Sequence, residues 1–459
     1  MASFVKEKSF YKTLVSICIP IALQNLISFG VNLCDTLMVG TLGEAQLSGV
    51  SLGGQPNFIF MILCFGISSG ACVLTAQYWG KEEPRAIAKI LALAMRIALA
   101  IGVVLLLVVQ LFPQQVMGLY THDPDVIAEG VKYLRIQSIA YVFYCITCIT
   151  LTVLRSVETV SISVVIYGTS FVVNAVINYI LIFGKFGAPQ LGVQGAAIGT
   201  LCARVLECVM AVTYLLRFEK KIRFRISDLF SWDQELFSDY ITHSVPVVIN
   251  ELMWGIGSSI QAAILGRLGA SAVAANSICS VVQQLSMLFV AGMASASSVL
   301  VGKSIGAGDE KRARDSAFTL QIFYVIVGSC AALLMFFIRD FAVSFYNVPE
   351  TTKELAKQCL IVSCFSVFFS SYWNPSMMGI LRSGGDTRFV MVTDVIFMWM
   401  ISIPFGALCG LLWHLPMPVV FLFLKMDEPL KSICAFVRLA SGKWVRNVTR
   451  EQVEESVRS

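Results

Sequence analysis

Residues 13–38 read TLVSICIPIALQNLISFGVNLCDTLM, a long apolar stretch that decides the fold class. As a helix rising about 1.5 Å per residue, it is longer than the roughly 30 Å hydrocarbon core of a bilayer. It is too long for the apolar core of a signal peptide, it contains Asn32 and Asp35, and no A-x-A cleavage site follows it. It therefore predicts a membrane-spanning helix, since backbone in lipid must satisfy its own hydrogen bonds.

The rest of the chain repeats this pattern. Hydrophobic residues make up 57% of the sequence, charged residues 14%, and the mean hydropathy is +0.76. In soluble domains about 45–50% of the residues are apolar and about 25% are charged. The last apolar block is interrupted by charges, which predicts either a short polar-lined helix inside the bundle or a partly interfacial segment. We predict an all-α integral membrane protein of about twelve spans: 13–38, 55–79, 87–112, 131–154, 161–183, 193–216, 241–265, 272–302, 317–338, 355–381, 390–413 and 416–440.

An internal repeat organises these spans into two halves. One constant offset aligns Pro20 with Pro246, Ser69 with Ser295 and Gly80 with Gly306, and Leu154-Arg155-Ser156 meets Leu381-Arg382-Ser383 at an offset larger by one. An even number of spans per half predicts two pseudo-symmetric six-helix lobes around a central cavity, related by an axis along the membrane normal. The predicted boundaries are 1–218 for the N-terminal lobe, 219–240 for a cytoplasmic linker, 241–440 for the C-terminal lobe and 441–459 for a cytoplasmic tail.

The distribution of charge predicts orientation. Lys and Arg cluster before span 1 and after the even-numbered spans 2, 6, 8 and 12. By the positive-inside rule both termini are expected in the cytoplasm, with the protein multi-pass in the cell (inner or plasma) membrane. The net charge of +5 is spread over the loops and indicates no nucleic-acid binding.

Ionisable residues inside the spans are the best candidates for function, because a charge in the bilayer is costly unless it is paired or hydrated. Asp35, Glu251 and Asp394 are such residues. Each carboxylate is expected either to take up H⁺ or Na⁺ or to form a structural hydrogen bond between helices. Asn174 and Asn178 share one helix face, where their amides either ligate a cation or hold helices together.

Other polar and aromatic residues suggest less specific roles. Arg204 and Glu207 fit a self-neutralising i,i+3 pair. Nothing in the sequence predicts an enzyme: the G-x-S-x-G match at residues 66–70 lies in an apolar block and is explained by small residues at a helix contact. Aromatic side chains of the second half either pack against lipid or face the cavity, where they attract organic cations. We expect the second-lobe cavity to include Glu251, Trp254, Tyr372, Trp373 and Asp394, while Asp427 and Glu428 are left unplaced.

A set of short motifs runs along nearly the whole chain: Pro20, Asp35-Thr36-Leu37-Met38-Val39-Gly40, Gln77-Tyr78-Trp79-Gly80, Leu154-Arg155-Ser156, Asn174 to Tyr179, Leu191 to Ala197 and Leu381 to Thr387. Together these motifs resemble the multidrug and toxic compound extrusion (MATE) family. The resemblance implies ion-driven efflux of amphipathic, often cationic, compounds by alternating access of two lobes. It also implies that Asp35, with Asn174, Asn178 and Thr200, forms a cation site. The chain departs from the sodium-coupled branch, because Glu251 comes about one turn early and Trp254 and Ser371 stand where that branch has carboxylates.

The resemblance and the residues together predict a secondary antiporter. It would export small amphipathic organic cations in exchange for H⁺ or Na⁺, with Asp35 as the coupling residue and no cofactor. We expect a monomer surrounded by membrane lipid. The alternative is a lipid-linked saccharide flippase of the same broader superfamily, which calls for several cations in the cavity; only Arg96 and Arg204 are candidates.

Overall fold

The computed structural model describes residues 3–346 and 348–450 and shows only helices and short loops in these ranges. The last helix of the first half continues into a π-helical turn, Tyr214–Phe218. The helices of this half are α1 Lys8–Gly40, α2 Glu44–Gly53, α3 Gln55–Gly80, α4 Pro84–Leu111, α5 Pro113–Gly118, α6 Pro124–Gln137, α7 Ala140–Ser156, α8 Ser161–Phe183 and α9 Val193–Thr213.

The second half follows a short 3₁₀ turn, Ile226–Phe230, and its helices contain several π-helical turns. Helix α10 begins at Gln234, so the end of the predicted linker is helical. The helices are α10 Gln234–Gly266, α11 Ala270–Gly306, α12 Glu310–Ser344, α13 Glu350–Asn374, α14 Thr387–Ile396, α15 Ile403–Ala407, α16 Met417–Leu424 and α17 Asp427–Ser441, and the π-helical turns are Pro375–Leu381, Phe397–Ser402 and Leu408–Leu412.

The predicted multi-pass membrane fold is confirmed. In the described ranges, ten helices or continuous helix pairs are long and apolar enough to cross a bilayer, and α6 with α7, bent by 51°, meets the same criteria if the pair is taken as one span. Large apolar side chains such as Val104, Leu333 and Val437 remain exposed, as expected of a surface covered by lipid. The last predicted span is two helices, α16 and α17, which meet at Lys425 and Met426.

The first helix of each half packs against a helix of the other half. Helix α1 lies along α11 of the other half, and α10 lies along α3. Small residues make both contacts possible: a Cβ on Gly66 would lie 3.0 Å from the Cα of Val248, and one on Gly292 would lie 2.6 Å from the Cys18 carbonyl oxygen. Gly66 and Gly292 are repeat partners, so the structure uses the duplicated glycines for equivalent helix crossings.

The halves close against each other at the terminal face, the end of the bundle where α1 begins, α3 and α11 end, and the described chain stops at Arg450. A Cβ on Gly80 would collide with the Lys303 carbonyl, and one on Gly306 with the Gln77 carbonyl. Gln77 and Lys303 are also repeat partners, so this contact is reciprocal. Only glycine permits such a close approach of two helix backbones.

The segment after α17 crosses this contact. The Gln77 Nε2 donates to the carbonyls of Ser383 at 2.7 Å and Arg446 at 3.1 Å, and its Oε1 accepts from the Val448 backbone N–H at 2.8 Å. The Lys303 ammonium pairs with Glu158 of the first half at 2.5 Å. These bonds tie the two lobes together at the terminal face. Residues 451–459 of the predicted tail lie outside the described residues.

Candidate functional site

A polar site lies inside the first lobe, between α1 and α8. The Asn178 Nδ2 donates to the Asp35 Oδ1 at 2.6 Å and to the Asn174 Oδ1 at 3.3 Å. Both asparagines are buried, while Asp35 is half-buried. The structure therefore brings together three of the four residues proposed from the sequence, because the four-residue spacing on α8 directs both amides towards α1.

Two polar atoms of this site have no hydrogen-bond partner in the described part of the chain. They are the Asn178 Oδ1 and the Asn174 Nδ2. A Cβ on Gly199 of α9 would overlap the Asn178 Oδ1, so the glycine makes room for that amide. The Asn178 Oδ1 is an acceptor, and an unpaired buried acceptor near a carboxylate is suited to a bound cation or proton, whereas the Asn174 Nδ2 is a donor and cannot ligate one. Asp35 is the one carboxylate among the described residues of this site, which suits a monovalent ion.

Thr200, the fourth residue, has a different partner. Its Oγ1 donates to the Ala196 carbonyl one turn earlier on α9, at 3.1 Å. The neighbouring Gly199 makes the contact with Asn178. Sequence reasoning missed Gly199, and the only signal for it is a glycine in the interior of a helix, where glycine is unfavourable.

A second feature is a central cavity of about 670 Å³ between the lobes. Helices of both halves contribute to it, and most of its walls are apolar or aromatic. Asp35 is not among the described residues that line it, so the first-lobe site and the cavity are separate. Lining residues include Asn25, Trp254, Met287, Trp373 and Met378.

The cavity contains four of the five residues expected in the second lobe: Glu251, Trp254, Trp373 and Asp394. Tyr372 lies elsewhere. Its hydroxyl donates to the Gln321 Oε1 at 2.6 Å, in a groove between α12, α13 and α17. The correction follows from helix geometry, since Tyr372 and its neighbour Trp373 point about 100° apart around α13.

The two cations named as candidates for the cavity, Arg96 and Arg204, are not among its described lining residues, and Arg204 forms the predicted i,i+3 pair instead. Arg96 donates to the Ser231 carbonyl at 2.8 Å, and Arg204 pairs with Glu207 at 2.7 Å. The cavity is lined instead by Arg155 and Arg382, together with Lys425. Both arginines belong to the repeated Leu-Arg-Ser motif, so the repeat itself was the signal for them.

Glu251 lies at the cavity wall and is paired. The Arg382 Nη2 lies 2.7 Å from the Glu251 Oε1, and the guanidinium is buried. Glu428 also lines the cavity, with its Oε1 3.8 Å from the Lys425 Nζ. Of the acidic residues left unplaced by the sequence, Glu428 therefore faces the cavity.

Asp427 belongs to a buried charge cluster beside the cavity. The Lys431 Nζ lies 2.6 Å from a carboxylate oxygen of Asp394 and 2.6 Å from one of Asp427, and it also lies 4.7 Å from the centre of the Trp373 ring. All three charged side chains are buried. The charges that interrupt the last predicted span thus lie inside the bundle. This favours the interpretation of that segment as polar-lined helix within the bundle over the interfacial one.

Replacing Lys431 with methionine is expected to destabilise the protein by about 3–5 kcal/mol, because two carboxylates would stay buried without their cation. Thermal unfolding of the purified protein in detergent measures this. The control is Lys353→Met, which removes a cation whose partner Glu350, 3.6 Å away, is exposed, and it should cost about 0–1 kcal/mol. Equal unfolding temperatures for the two variants would contradict the prediction.

Comparison with known proteins identifies the architecture. The sequence profile of the family described as MatE matches this chain twice, over residues 20–180 and 246–408. This chain belongs to the MatE family. The two matches begin at Pro20 and Pro246, which the internal repeat aligns with each other. The resemblance to MATE proteins seen in the sequence is confirmed.

Relatives of this MATE chain span nearly its full length. A probable multidrug resistance protein NorM from Rhizobium meliloti (strain 1021) is 26% identical over 411 residues, covering 88% of this chain and 86% of the relative. A probable multidrug resistance protein NorM from Thermotoga maritima is 23% identical over 454 residues, covering 97% and 96%. A multidrug resistance protein MdtK from Yersinia pseudotuberculosis is 22% identical, covering 87% and 88%.

Solved structures share the fold of this MATE chain. One is described as MATE in complex with MaL6; it superposes with a TM-score of 0.86 at 15% identity, covering 94% of this chain and 97% of the other. Another is described as the outward-facing conformation of a multidrug resistance MATE family transporter, with a TM-score of 0.86 at 15% identity, covering 96% and 99%. The arrangement of twelve spans in two lobes fits both.

Proposed function

We propose that this MATE chain is a secondary antiporter that exports small amphipathic compounds, with organic cations prominent among them, in exchange for H⁺ or Na⁺. Asp35, assisted by Asn174 and Asn178, binds the coupling ion. The central cavity binds the exported compound. The protein works as a monomer in the cell membrane with both ends in the cytoplasm and needs no cofactor besides the ion.

The observation that carries this proposal is the separation of the two polar features. Asp35 is hydrogen-bonded inside the first lobe, whereas the aromatic cavity lies between the lobes. An ion and a substrate that do not share ligands compete only through a change of conformation, and such coupling is reciprocal. The multidrug resistance names of the relatives support export as the direction of transport.

The closed terminal face supports alternating access. On α3 the cavity lining runs from Phe58 to Cys72, and below it Gln77 and Gly80 pack against the other lobe. With the termini in the cytoplasm, this state is closed to the cytoplasm. Export then requires these contacts to separate so that the cavity can load from inside.

A flippase for lipid-linked saccharides is the second candidate, because cations do line the cavity. Among the described lining residues, however, Arg382 has Glu251 at 2.7 Å and Lys425 has Glu428 at 3.8 Å. Of the cations among the described lining residues, Arg155 alone has no carboxylate oxygen within 4.0 Å. One free cation is a weak match for a ligand with two phosphates, so the antiporter is favoured.

Reconstitution into liposomes tests the two candidates. Movement of ethidium is expected to accelerate when either a pH step or a Na⁺ gradient is imposed alone, and the effective gradient names the coupling ion. Protein-free liposomes measure leakage. Indifference to both gradients would refute antiport, and movement of labelled lipid-linked oligosaccharide without a gradient would establish the flippase instead.

A further inference from the structure

Two arginines occupy equivalent positions in the two lobes and line the central cavity. The Arg155 Nη1 donates to the Ser295 Oγ at 3.1 Å, and the Arg382 Nη1 donates to the Ser69 Oγ at 3.4 Å. Ser69 and Ser295 are themselves repeat partners. Each guanidinium therefore crosses to the serine of the opposite lobe in the same way.

The two arginines differ in how their charge is neutralised. Arg382 is paired with Glu251 of α10. In the repeat alignment that joins Ser69 to Ser295, Glu251 corresponds to Asn25 of α1, which also lines the cavity. The first lobe therefore has an amide where the second lobe has a carboxylate, and Arg155 lacks the partner that Arg382 has.

The contacts of Arg155 agree with this comparison. Its Nη2 donates to the Thr152 Oγ1 at 3.2 Å, so both of its side-chain partners are neutral hydroxyls. No carboxylate oxygen of the described residues lies within 4.0 Å of an Arg155 guanidinium nitrogen, the distance limit for an ion pair. A guanidinium in a largely apolar cavity binds a carboxylate strongly, because its planar donors match both oxygens and little water competes.

The other cations of the cavity wall have carboxylates beside them. The Arg382 Nη2 lies 2.7 Å from the Glu251 Oε1, and the Lys425 Nζ lies 3.8 Å from the Glu428 Oε1. Trp254, Trp373 and Met378 supply apolar surface in the same cavity. Among the described lining residues, the cavity thus offers one cation without a carboxylate partner, beside an aromatic lining.

We propose that Arg155 is an anion-binding subsite of the central cavity and that its guanidinium binds the carboxylate of an exported amphipathic compound. This rests on the proposed function only in taking the central cavity as the place where the exported compound binds. It assigns the recognition of the carboxylate to one residue of the first lobe.

The test compares rhodamine B, which carries a free carboxylate, with its ethyl ester, a cation with the same ring system. Fluorescence anisotropy gives both Kd values for the purified full-length protein in nanodiscs, without any gradient. The selectivity ratio is the Kd of the ester divided by the Kd of the acid. Arg155→Gln should lower this ratio by about tenfold or more, the loss expected for a hydrogen bond between charged groups.

Three further variants separate charge from structure. Asn25→Glu, which installs the missing partner, should also lower the ratio, whereas Glu251→Gln, which frees Arg382, should raise it. Arg155→Lys keeps the charge and should lower the selectivity ratio less than Arg155→Gln does. If Asn25→Gln lowers the ratio as far as Asn25→Glu does, charge is not the cause and the proposal fails.

Other outcomes also decide the matter. If Arg155 has only a structural role, Arg155→Gln would weaken the binding of both probes by the same factor and leave the selectivity ratio unchanged, which would overturn the proposal. A wild-type protein that does not bind rhodamine B would also overturn it. If Arg155→Gln does not fold, as judged by size-exclusion chromatography, the Asn25 and Glu251 variants still decide. Binding without gradients also keeps this result independent of whether transport is coupled to an ion.

Discussion

Gradient-driven transport is expected to disappear in Asp35→Asn, the variant with the largest expected effect. Asparagine has nearly the same shape, and its Oδ1 can still accept the hydrogen bond from Asn178. It carries no charge, so it neither takes up a proton nor attracts a cation. The initial rate of transport by the variant should therefore be the same with and without the gradient, because a residue that binds no coupling ion cannot couple the ion to the substrate.

The measurement is the initial rate of ethidium movement in proteoliposomes, with and without the effective gradient. Asp340→Asn is the matched control, because that carboxylate is exposed and its nearest cations are 3.6 and 3.7 Å away. The control should keep the full acceleration. An Asp35→Asn protein that retains wild-type acceleration at equal reconstitution would remove Asp35 from the coupling mechanism.

A comparably large effect is expected for Gly306→Ala and for Gly80→Ala. In each case the new methyl group would collide with a backbone carbonyl of the facing helix, of Gln77 or Lys303 respectively. Backbone atoms inside packed helices cannot move aside cheaply, so the closed terminal face becomes inaccessible. A transporter that cannot close one side cannot complete its cycle, so transport should fall to the leakage rate.

Hydrogen–deuterium exchange provides the structural readout for these glycines. Peptides that cover the ends of α3 and α11 should exchange faster in both variants, because the face stays open. Gly266→Ala is the control: a Cβ there meets nothing within 4 Å, and it should affect neither exchange nor transport. Normal transport by Gly306→Ala would mean that the backbone contact is not part of the cycle.

Much of the fold was predictable because its signal is local. A run of apolar residues reports a membrane span wherever it occurs, so the spans and the doubled architecture agree with the helices and with the two matches of the family profile. The last segment was ambiguous, because hydropathy counts Asp427 and Lys431 as two separate costs. In the structure they neutralise each other inside the bundle.

The candidate site was predictable only in part. Asn174 and Asn178 share a helix face by their spacing, and the family motif joins them to Asp35. Tyr372 was assigned to the cavity because residue type says nothing about rotation around a helix. The cavity arginines were missed because a sequence reports a charge but not its partner.

The sequence by itself determined that this chain is helical, crosses the membrane repeatedly and consists of two copies of one unit. These properties depend on hydropathy and on repeat spacing, which can be read within one segment or between two aligned ones. Only the tertiary structure decided which charges meet. Glu251 and Arg382 are 131 residues apart, and Arg155 meets Ser295 across 140 residues. Such pairs form between helices whose rotation and crossing are set by packing, and packing is a property of the whole bundle.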